Sequence, residues 1–248
     1  DKLAGSFRSE QEARACYNRF DQTICVSKYV HDDFCQLLDF QKPCRVLYNT
    51  VESDKILAGA SEAAPELVDD GKIRVIAVGT LKQSKGYMRL LNIIKRLRDE
   101  QYPMHLYILG IGPLQAEMEE YIRRNELQDT VTLLGYQTNP YNYVSKCDLF
   151  VCASFAEGFS TAATEALIVG TPVCTVEVSG MKEMLGEHNE WGVVTENSEE
   201  ALYDGIKKLL DSPDLLAYYK SRASLRGQNF RAEETVKDVE QMLLQLKE

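Results

Sequence analysis

The chain has 248 residues, with 28 Lys and Arg against 38 Asp and Glu, a formal charge of −10 and 44% hydrophobic residues. That length supports one large domain, or one domain with appendages, around a sizeable core. The acidic balance excludes non-specific binding to nucleic acid, which needs a basic face to displace counterions, so a phosphate ligand must be held by local cations and backbone amides.

The seven cysteines (16, 25, 35, 44, 147, 152 and 174) are scattered and odd in number. They form no C-x-x-C pair, and Cys25, Cys152 and Cys174 lie in apolar strand-like runs. Buried free thiols are therefore expected rather than bridges or zinc ligands, which points to a reducing, cytoplasmic compartment. No run approaches the roughly 18 apolar residues of a membrane span, and no signal-peptide pattern opens the chain. The three histidines, His31, His105 and His188, show no ligand spacing among themselves and read as ordinary structural residues.

In chain order, a helical segment through Gln11–Phe20 comes first. Two strands, Ile24–Ser27 and Arg45–Tyr48, then flank a helix at Lys28–Leu38. This is too little for an independent domain and is expected to be the tail of something larger. From Ile73 onward short β-branched runs alternate with helical periods. The predicted strands are Arg74–Val78, His105–Leu109, Val131–Leu134, Leu149–Ala153, Val173–Val176 and Val193–Thr195. Between and after them come helices at Tyr87–Glu100, Leu114–Asn125, Tyr141–Lys146, Thr161–Val169, Met181–Leu185 and Glu199–Leu210. Tyr87, Leu90, Leu91, Ile94 and Leu97 recur at helical spacing and give the first of these an apolar face. Helices at Pro213–Arg222 and Ala232–Lys247 close the chain, the last amphipathic through Val236, Val239, Met242, Leu243 and Leu246. This alternation predicts an α/β fold with a doubly wound parallel sheet, its ligands at the carboxyl ends of the strands.

The stretch from Val151 to Ala166 carries the most chemistry. A strand leads into a loop bearing Glu157, and a helix opens at Ser160 or Thr161 with Glu165 about one turn in. Gly170 and Pro172 stop that helix. The amides of Gly158, Phe159 and Ser160 approach a helix N-terminus, which favours an anion. Two carboxylates for hydroxyl groups and amides for a diphosphate suit a sugar nucleotide. Alone, the pair reads more simply as a solvated loop glutamate and a helix-surface glutamate, because such turns are common. A glycoside hydrolase would need carboxyls about 5 to 9.5 Å apart flanking a bond. A dinucleotide fingerprint would want a third glycine where Gln115 stands.

Four stretches follow one another at the ends of successive predicted strands: Val78-Gly79-Thr80-Leu81-Lys82-Gln83-Ser84-Lys85-Gly86, Leu109-Gly110-Ile111-Gly112-Pro113, Leu134-Gly135-Tyr136, and Glu157-Gly158-Phe159 through Glu165-Ala166. In this order they resemble the donor-nucleotide half of the retaining glycosyltransferases of family 4 (group 1), whose hallmark is an E-x7-E pair. Asn139-Pro140-Tyr141 and Val178 to Glu183 are further similar to members that build bacterial capsular or exopolysaccharide chains.

The resemblance implies the C-terminal half of a two-domain GT-B enzyme. Residues 1–52 would be a remnant of the N-terminal domain and its link, 53–228 a Rossmann-like nucleotide-sugar domain, and 229–248 a C-terminal helix. It implies retaining transfer from a nucleoside diphosphate sugar, with Lys85 and Glu157 as catalytic residues. Gly79, Thr80, Lys85, Gly110, Gly112, Gly135, Tyr136, Glu157, Gly158, Phe159, Ser160 and Glu165 would form the donor site. Lys85 would meet the diphosphate, Glu157 the transferred sugar and Glu165 the ribose, and Pro113 would start a helix at position N1. No metal or other cofactor is implied. The acceptor, a glycan or lipid-linked sugar, would belong to the N-terminal domain, with peripheral membrane association of the full-length protein. The family usually carries arginine at the position of Thr80. That departure keeps open a non-catalytic nucleotide-sugar-binding module, alongside an epimerase or phosphorylase of the same fold.

Overall fold

The computed structural model describes residues 7–64, 67 and 70–245. The first six residues of the predicted N-terminal segment, and Leu246 and Lys247 of the predicted last helix, lie outside the described residues.

Residues 7–46 form a small unit: helix α1 (Glu10–Tyr17), strand β1 (Thr23–Cys25), helix α2 (Lys28–Leu38) and strand β2 (Cys44–Val46). β1 and β2 pair in parallel, with Thr23 opposite Cys44 and Cys25 opposite Val46. The core of this unit is slight: Ala13, Leu38 and Phe40 are buried, with Phe7, Tyr17, Phe34, Leu37 and Cys44 packed against them. β1 is shorter than its apolar run because Ser27 leaves the strand to cap α2, its Oγ accepting from the amide of Val30 at 3.1 Å.

The main body alternates strands and helices. Helix α3 (Ser53–Ala60) leads to β3 (Ile73–Val78), α4 (Tyr87–Asp99), β4 (Met104–Leu109), α5 (Gln115–Arg124) and β5 (Val131–Gly135). The chain continues through α6 (Tyr141–Val144), β6 (Leu149–Cys152), α7 (Thr161–Ile168), β7 (Val173–Val176), α8 (Met181–Leu185), β8 (Val193–Thr195) and α9 (Glu199–Leu210). Helices α10 (Pro213–Gly227) and α11 (Ala232–Gln245) follow. All six strands from β3 to β8 run parallel in the order β5-β4-β3-β6-β7-β8. β4, β6 and β7 are buried at every residue, as expected where helices cover both faces of a parallel sheet. The five predicted apolar positions of α4 are all buried.

Three local features differ from expectation. Helix α3 has no sequence signal at its start, because its N-cap Glu52 makes no side-chain cap bond; it packs instead against α6 and α7. Pro113 is not at N1 of α5. It lies in the preceding turn, because the amide of Leu114 donates to the carbonyl of Leu81 at 3.0 Å and that of Gln115 to Gly112 at 3.1 Å. Helix α10 runs past Arg222 to Gly227, whose missing side chain lets the backbone of Leu167 on α7 approach; an added Cβ would lie 2.3 Å from that carbonyl oxygen.

The N-terminal unit is tied to the main body through Glu183 on α8. Its carboxylate accepts from the Lys28 amide at 2.9 and 3.0 Å and from the Tyr48 hydroxyl at 2.6 Å. The ring of Tyr48 stacks near Phe159 (5.1 Å) and Phe230 (6.1 Å).

The strand ends β3 and β4 meet at two glycines. Gly110 has φ +139°, and a Cβ there would sit 2.0 Å from the Gly79 carbonyl oxygen. Gly135, at the end of β5, has φ +65° with nothing within 4 Å of an added Cβ. Gly135→Ala should therefore cost only the left-handed strain, about 1–2 kcal/mol. Gly110→Ala adds a backbone collision and should cost about 3 kcal/mol or more. Urea midpoints of the two variants check this; equal losses would show that the β3–β4 approach relaxes freely.

Candidate functional site: a cleft at the strand reversal

Strands β3, β4 and β5 step outward in one direction, and β6 then returns to the other side of β3. At such a reversal the flanking loops diverge and leave a crevice at the carboxyl ends of the strands. Lys85 follows β3 and Glu157 follows β6, so the two residues meet here. Lys85 Nζ donates to Glu157 Oε1 at 2.6 Å. Both side chains are largely withdrawn from water, at 25% and 11% exposure. An ion pair so placed requires further hydrogen bonds, and the Ser154 hydroxyl supplies one, donating to the same carboxylate oxygen at 2.5 Å. The Cys152 thiol lies below at 3.9 Å, its titration pushed upward first by burial and then by the Glu157 charge. The Ser179 hydroxyl donates to the Glu157 carbonyl.

Local sequence explains each position. Lys85 ends a single 3-10 turn, Gln83–Lys85, which Gly86 stops in a left-handed conformation. Its stem passes Gly79, with Cε 3.8 Å from where a Cβ would stand. Glu157 sits between β6 and α7, and Ser160 caps α7 with its Oγ accepting from the Ala163 amide. The other first-turn amides of α7 are the orphan donors that any helix start presents.

Beside this pair, β3, β4 and β5 end on Gly79, Gly110 and Gly135, whose backbones are linked: the Gly79 amide donates to the Leu109 carbonyl and the Gly110 amide to the Gly135 carbonyl. Gly79 and Gly110 border a cleft of roughly 550 Å³ lined also by Thr80, Ile111, Tyr136 and Tyr141 among others, with Gly135 just behind Tyr136 in the chain. Tyr136 is 70% exposed and presents an open aromatic face. Glu165 is not beside Glu157. It is hydrogen-bonded to Tyr141, and burial lifts its carboxyl from 4.5 to about 7, with the Tyr141 bond opposing. Asn139 steadies Tyr141 by accepting from its amide at 3.2 Å while donating to the Gly59 carbonyl of α3 at 3.0 Å.

The structure therefore places Gly79, Thr80, Gly110 and Tyr136 on the cleft, and Lys85, Glu157 and Ser160 around an adjoining hollow. Gly158 is exposed at the loop tip, with Val26 of the N-terminal unit 3.6 Å from its would-be Cβ. The ring of Phe159 is buried against Tyr48 and Phe230. Gly112 also makes a close approach within the protein, to the β3 loop, since a Cβ there would lie 2.5 Å from the Leu81 carbonyl oxygen.

Arg89 escaped the sequence reading. It is buried on α4, where its Nε donates to the Ala153 carbonyl at 2.7 Å, Nη2 to Ser154 at 2.9 Å and Nη1 to Asn197 Oδ1 at 2.8 Å. Its guanidinium also lies 4.2 Å from the centre of the Phe155 ring. Arg89 thus holds the loop that presents Glu157. The available signal was its place four residues before Ile93 and eight before Leu97, on the buried stripe of α4. A second omission lies elsewhere: ligand atoms of His31, Cys35 and Cys44 fall within 4.8 Å of one another. Cysteine spacing and histidine spacing, each taken separately along the chain, could not find a group assembled from a helix and a strand. Among the described residues, no helix is long and apolar enough to cross a membrane.

A parallel sheet with a glycine-bordered cleft and a lysine–glutamate pair at its reversal defines a Rossmann-like domain of the GT-B type. The chain belongs to the group 1 glycosyl transferases, whose family model matches residues 60–226. It is 31% identical over 231 residues to a Campylobacter jejuni enzyme, N-acetylgalactosamine-N,N'-diacetylbacillosaminyl-diphospho-undecaprenol 4-alpha-N-acetylgalactosaminyltransferase. That match covers 92% of this chain and 61% of the relative's length. Among solved structures, sucrose-phosphate synthase from Thermosynechococcus elongatus superposes with a TM-score of 0.85 at 22% identity, covering 99% of this chain and 63% of that one. Anabaena HepE in complex with UDP superposes at 0.84 and 20% identity, covering 99% and 70%. At these identities the structural likeness speaks for the fold.

The raised Glu165 carboxyl makes stability depend on pH. Between about pH 4.5 and 7 the native chain retains a proton that the unfolded chain has released, so this residue's contribution falls as pH rises through that window. Glu165→Gln should be more stable than the parent at pH 8, with the gap closing toward pH 5. Urea midpoints at both pH values test this, and an equal gap at both would mean that Glu165 is not held neutral by burial.

Proposed function

We propose that the chain is the donor half of a retaining glycosyltransferase that binds a nucleoside diphosphate sugar and supports transfer to a glycan or lipid-linked acceptor. The observation that carries the reading is the meeting of Lys85 and Glu157 at the strand reversal, beside the glycine-bordered cleft. The diphosphate would lie between Lys85 and the α7 amides. Lys85 would then exchange Glu157 for phosphate oxygens, freeing the Glu157 carboxylate for sugar hydroxyls. As the diphosphate departs from the face on which the acceptor enters, its growing charge is met by donors already in position. Lys85 and the helix start would supply this positive potential without a metal. The base would rest against Tyr136, and Glu165, deeper on α7, would take the ribose.

The UDP complex of the HepE structure makes uridine the first base to test. The name of the Campylobacter relative, with its diphospho-undecaprenol acceptor, favours a lipid-linked acceptor and hence membrane association of the full-length enzyme. Because the chain spans 61% of that relative, acceptor recognition is assigned to a preceding domain, and residues 1–248 alone should bind nucleotide without turning over sugar. Free thiols support a cytoplasmic setting. A non-catalytic binding module is the second reading, favoured by exposed Thr80 at the position of the family arginine.

Calorimetry with UDP on this chain, paired with transfer rates of the full-length protein, separates the roles. Lys85→Ala should weaken UDP binding by roughly 10- to 100-fold, the worth of a charge-assisted hydrogen bond, and slow transfer as well. Glu157→Gln should leave UDP affinity unchanged or improved, because Lys85 is released, while transfer collapses. Equal loss of UDP affinity in both variants would remove the sugar-side placement of Glu157. Absence of transfer by the full-length protein with any donor would favour the module, and efficient transfer by residues 1–248 would overturn the assignment of the acceptor to another domain.

A further inference from the structure

The N-terminal unit gathers three potential metal ligands, with a fourth thiol beside them, far from the cleft in sequence. Cys25 and Cys44 lie two positions apart in register on the parallel β1–β2 pair, so both side chains share one face. Their sulfurs are 3.6 Å apart. Helix α2 packs on both strands and contributes His31 and Cys35, four residues apart on one side of the helix. His31 Nε2 is 3.8 Å from Cys35 Sγ, and the ligand atoms of His31, Cys35 and Cys44 all lie within 4.8 Å of one another.

His31, Cys35 and Cys44 lie close enough together to share one ion; the Cys25 thiol touches Cys44 but stands outside that group of three. Zinc–sulfur bonds of about 2.3 Å and zinc–nitrogen bonds of about 2.0–2.1 Å generate edges of about 3.8 Å between sulfurs and about 3.5 Å between sulfur and nitrogen. The two distances above lie within a few tenths of an ångström of those edges. A second observation is independent of the spacing. His31 Nδ1 is 2.8 Å from Asp32 Oδ1, which fixes the tautomer that leaves Nε2 free to coordinate. A carboxylate on the far nitrogen is the usual support of a metal-bound histidine.

We propose that His31, Cys35 and Cys44 form a structural zinc site that staples α2 to the β1–β2 pair, with Cys25 turning its thiol from Cys44 toward the ion as the fourth ligand. Three thiolates and an imidazole select zinc over harder divalent ions. Four protein ligands close the coordination shell, so the ion is structural and leaves no position for substrate. It is independent of the donor cleft and of any metal requirement there.

The test uses residues 1–248, purified under reductant and stripped with a chelator. Zinc titration against a chromophoric competitor should show one ion per chain with Kd below about 50 nM, in the range of structural zinc sites. Cobalt(II) should give the visible bands of a tetrahedral ion and a thiolate charge-transfer band. Cys25→Ser, Cys35→Ser and Cys44→Ser should each remove about one third of that charge-transfer intensity or abolish binding. His31→Gln should weaken zinc while keeping the full thiolate band, and Asp32→Asn should weaken it about 10- to 100-fold. Cys16→Ser, on α1, should change nothing. Should a cysteine variant fail to fold, the parent chain's cobalt spectrum and the partly exposed His31 still decide the matter. Less than stoichiometric binding, an octahedral cobalt spectrum, an effect of Cys16→Ser as large as that of Cys44→Ser, or a Cys25–Cys44 disulfide forming in place of metal uptake under reductant would overturn the site.

Discussion

A parallel sheet can bring two distant loops together only where the strand order turns back on itself, and here that place is the β3–β6 boundary. Val75 pairs with Leu149 and Ile76 with Phe150, so the loops leaving β3 and β6 start side by side. Because the helices that follow these strands cover opposite faces of the sheet, nothing crosses between the two loops. Lys85 and Glu157, separated by 72 positions in the chain, thereby become hydrogen-bonded neighbours. The rest of the site is a consequence of this geometry. The hollow beside the pair, the glycine-ended strands next to it and the amides of α7 are all arranged around the same point on the sheet edge.

Holding the pair there requires fixed surroundings. A lysine and a glutamate withdrawn from water are worth little unless their remaining lone pairs and protons are satisfied. Ser154 meets the carboxylate, and Arg89 fixes the carbonyls of Ala153 and Ser154 from below. Arg89 is therefore a positioning residue, acting on the loop backbone rather than on any ligand. From the other side, the ring of Phe159 is buried against Tyr48 and Phe230. The loop carrying Glu157 is thus anchored in the main body and in the link from the N-terminal unit at once. Glu183 reinforces that link through the Lys28 amide and the Tyr48 hydroxyl.

Glu157 and Glu165 show how spacing alone can mislead. Both stand in one motif, yet the first is paired with a lysine and the second is partly buried and hydrogen-bonded to a tyrosine. For Glu165 the governing force is desolvation, with the Tyr141 hydrogen bond opposing it. A shared motif therefore places its two carboxylates in two different surroundings.

Much of the main body was legible from the residues. Binary alternation, β-branched runs and helix caps are local, so β7, β8, α8 and α9 fall at their expected bounds, and the buried stripe of α4 follows from its 3.6-residue period. The glycine motifs after β3 and β4 likewise announced a cleft at the strand ends. Strand order, by contrast, is a global property, and no local pattern could say that Lys85 would face Glu157 while Glu165 turned to Tyr141. Helix α3 and the turn holding Pro113 depend on partners far along the chain. Arg89 falls on the buried stripe of α4 by period, but the carbonyls it serves emerge only when the β6–α7 loop is seen to lie on it. Cys25, His31, Cys35 and Cys44 read as unrelated residues because their grouping combines the pleat of two strands with one side of a helix. Sequence by itself determined which segments become strands and helices and which residues could bear chemistry, since those depend on period and residue type. Only the tertiary structure decided which of those residues meet, because contact across a sheet is set by the order in which the strands pack.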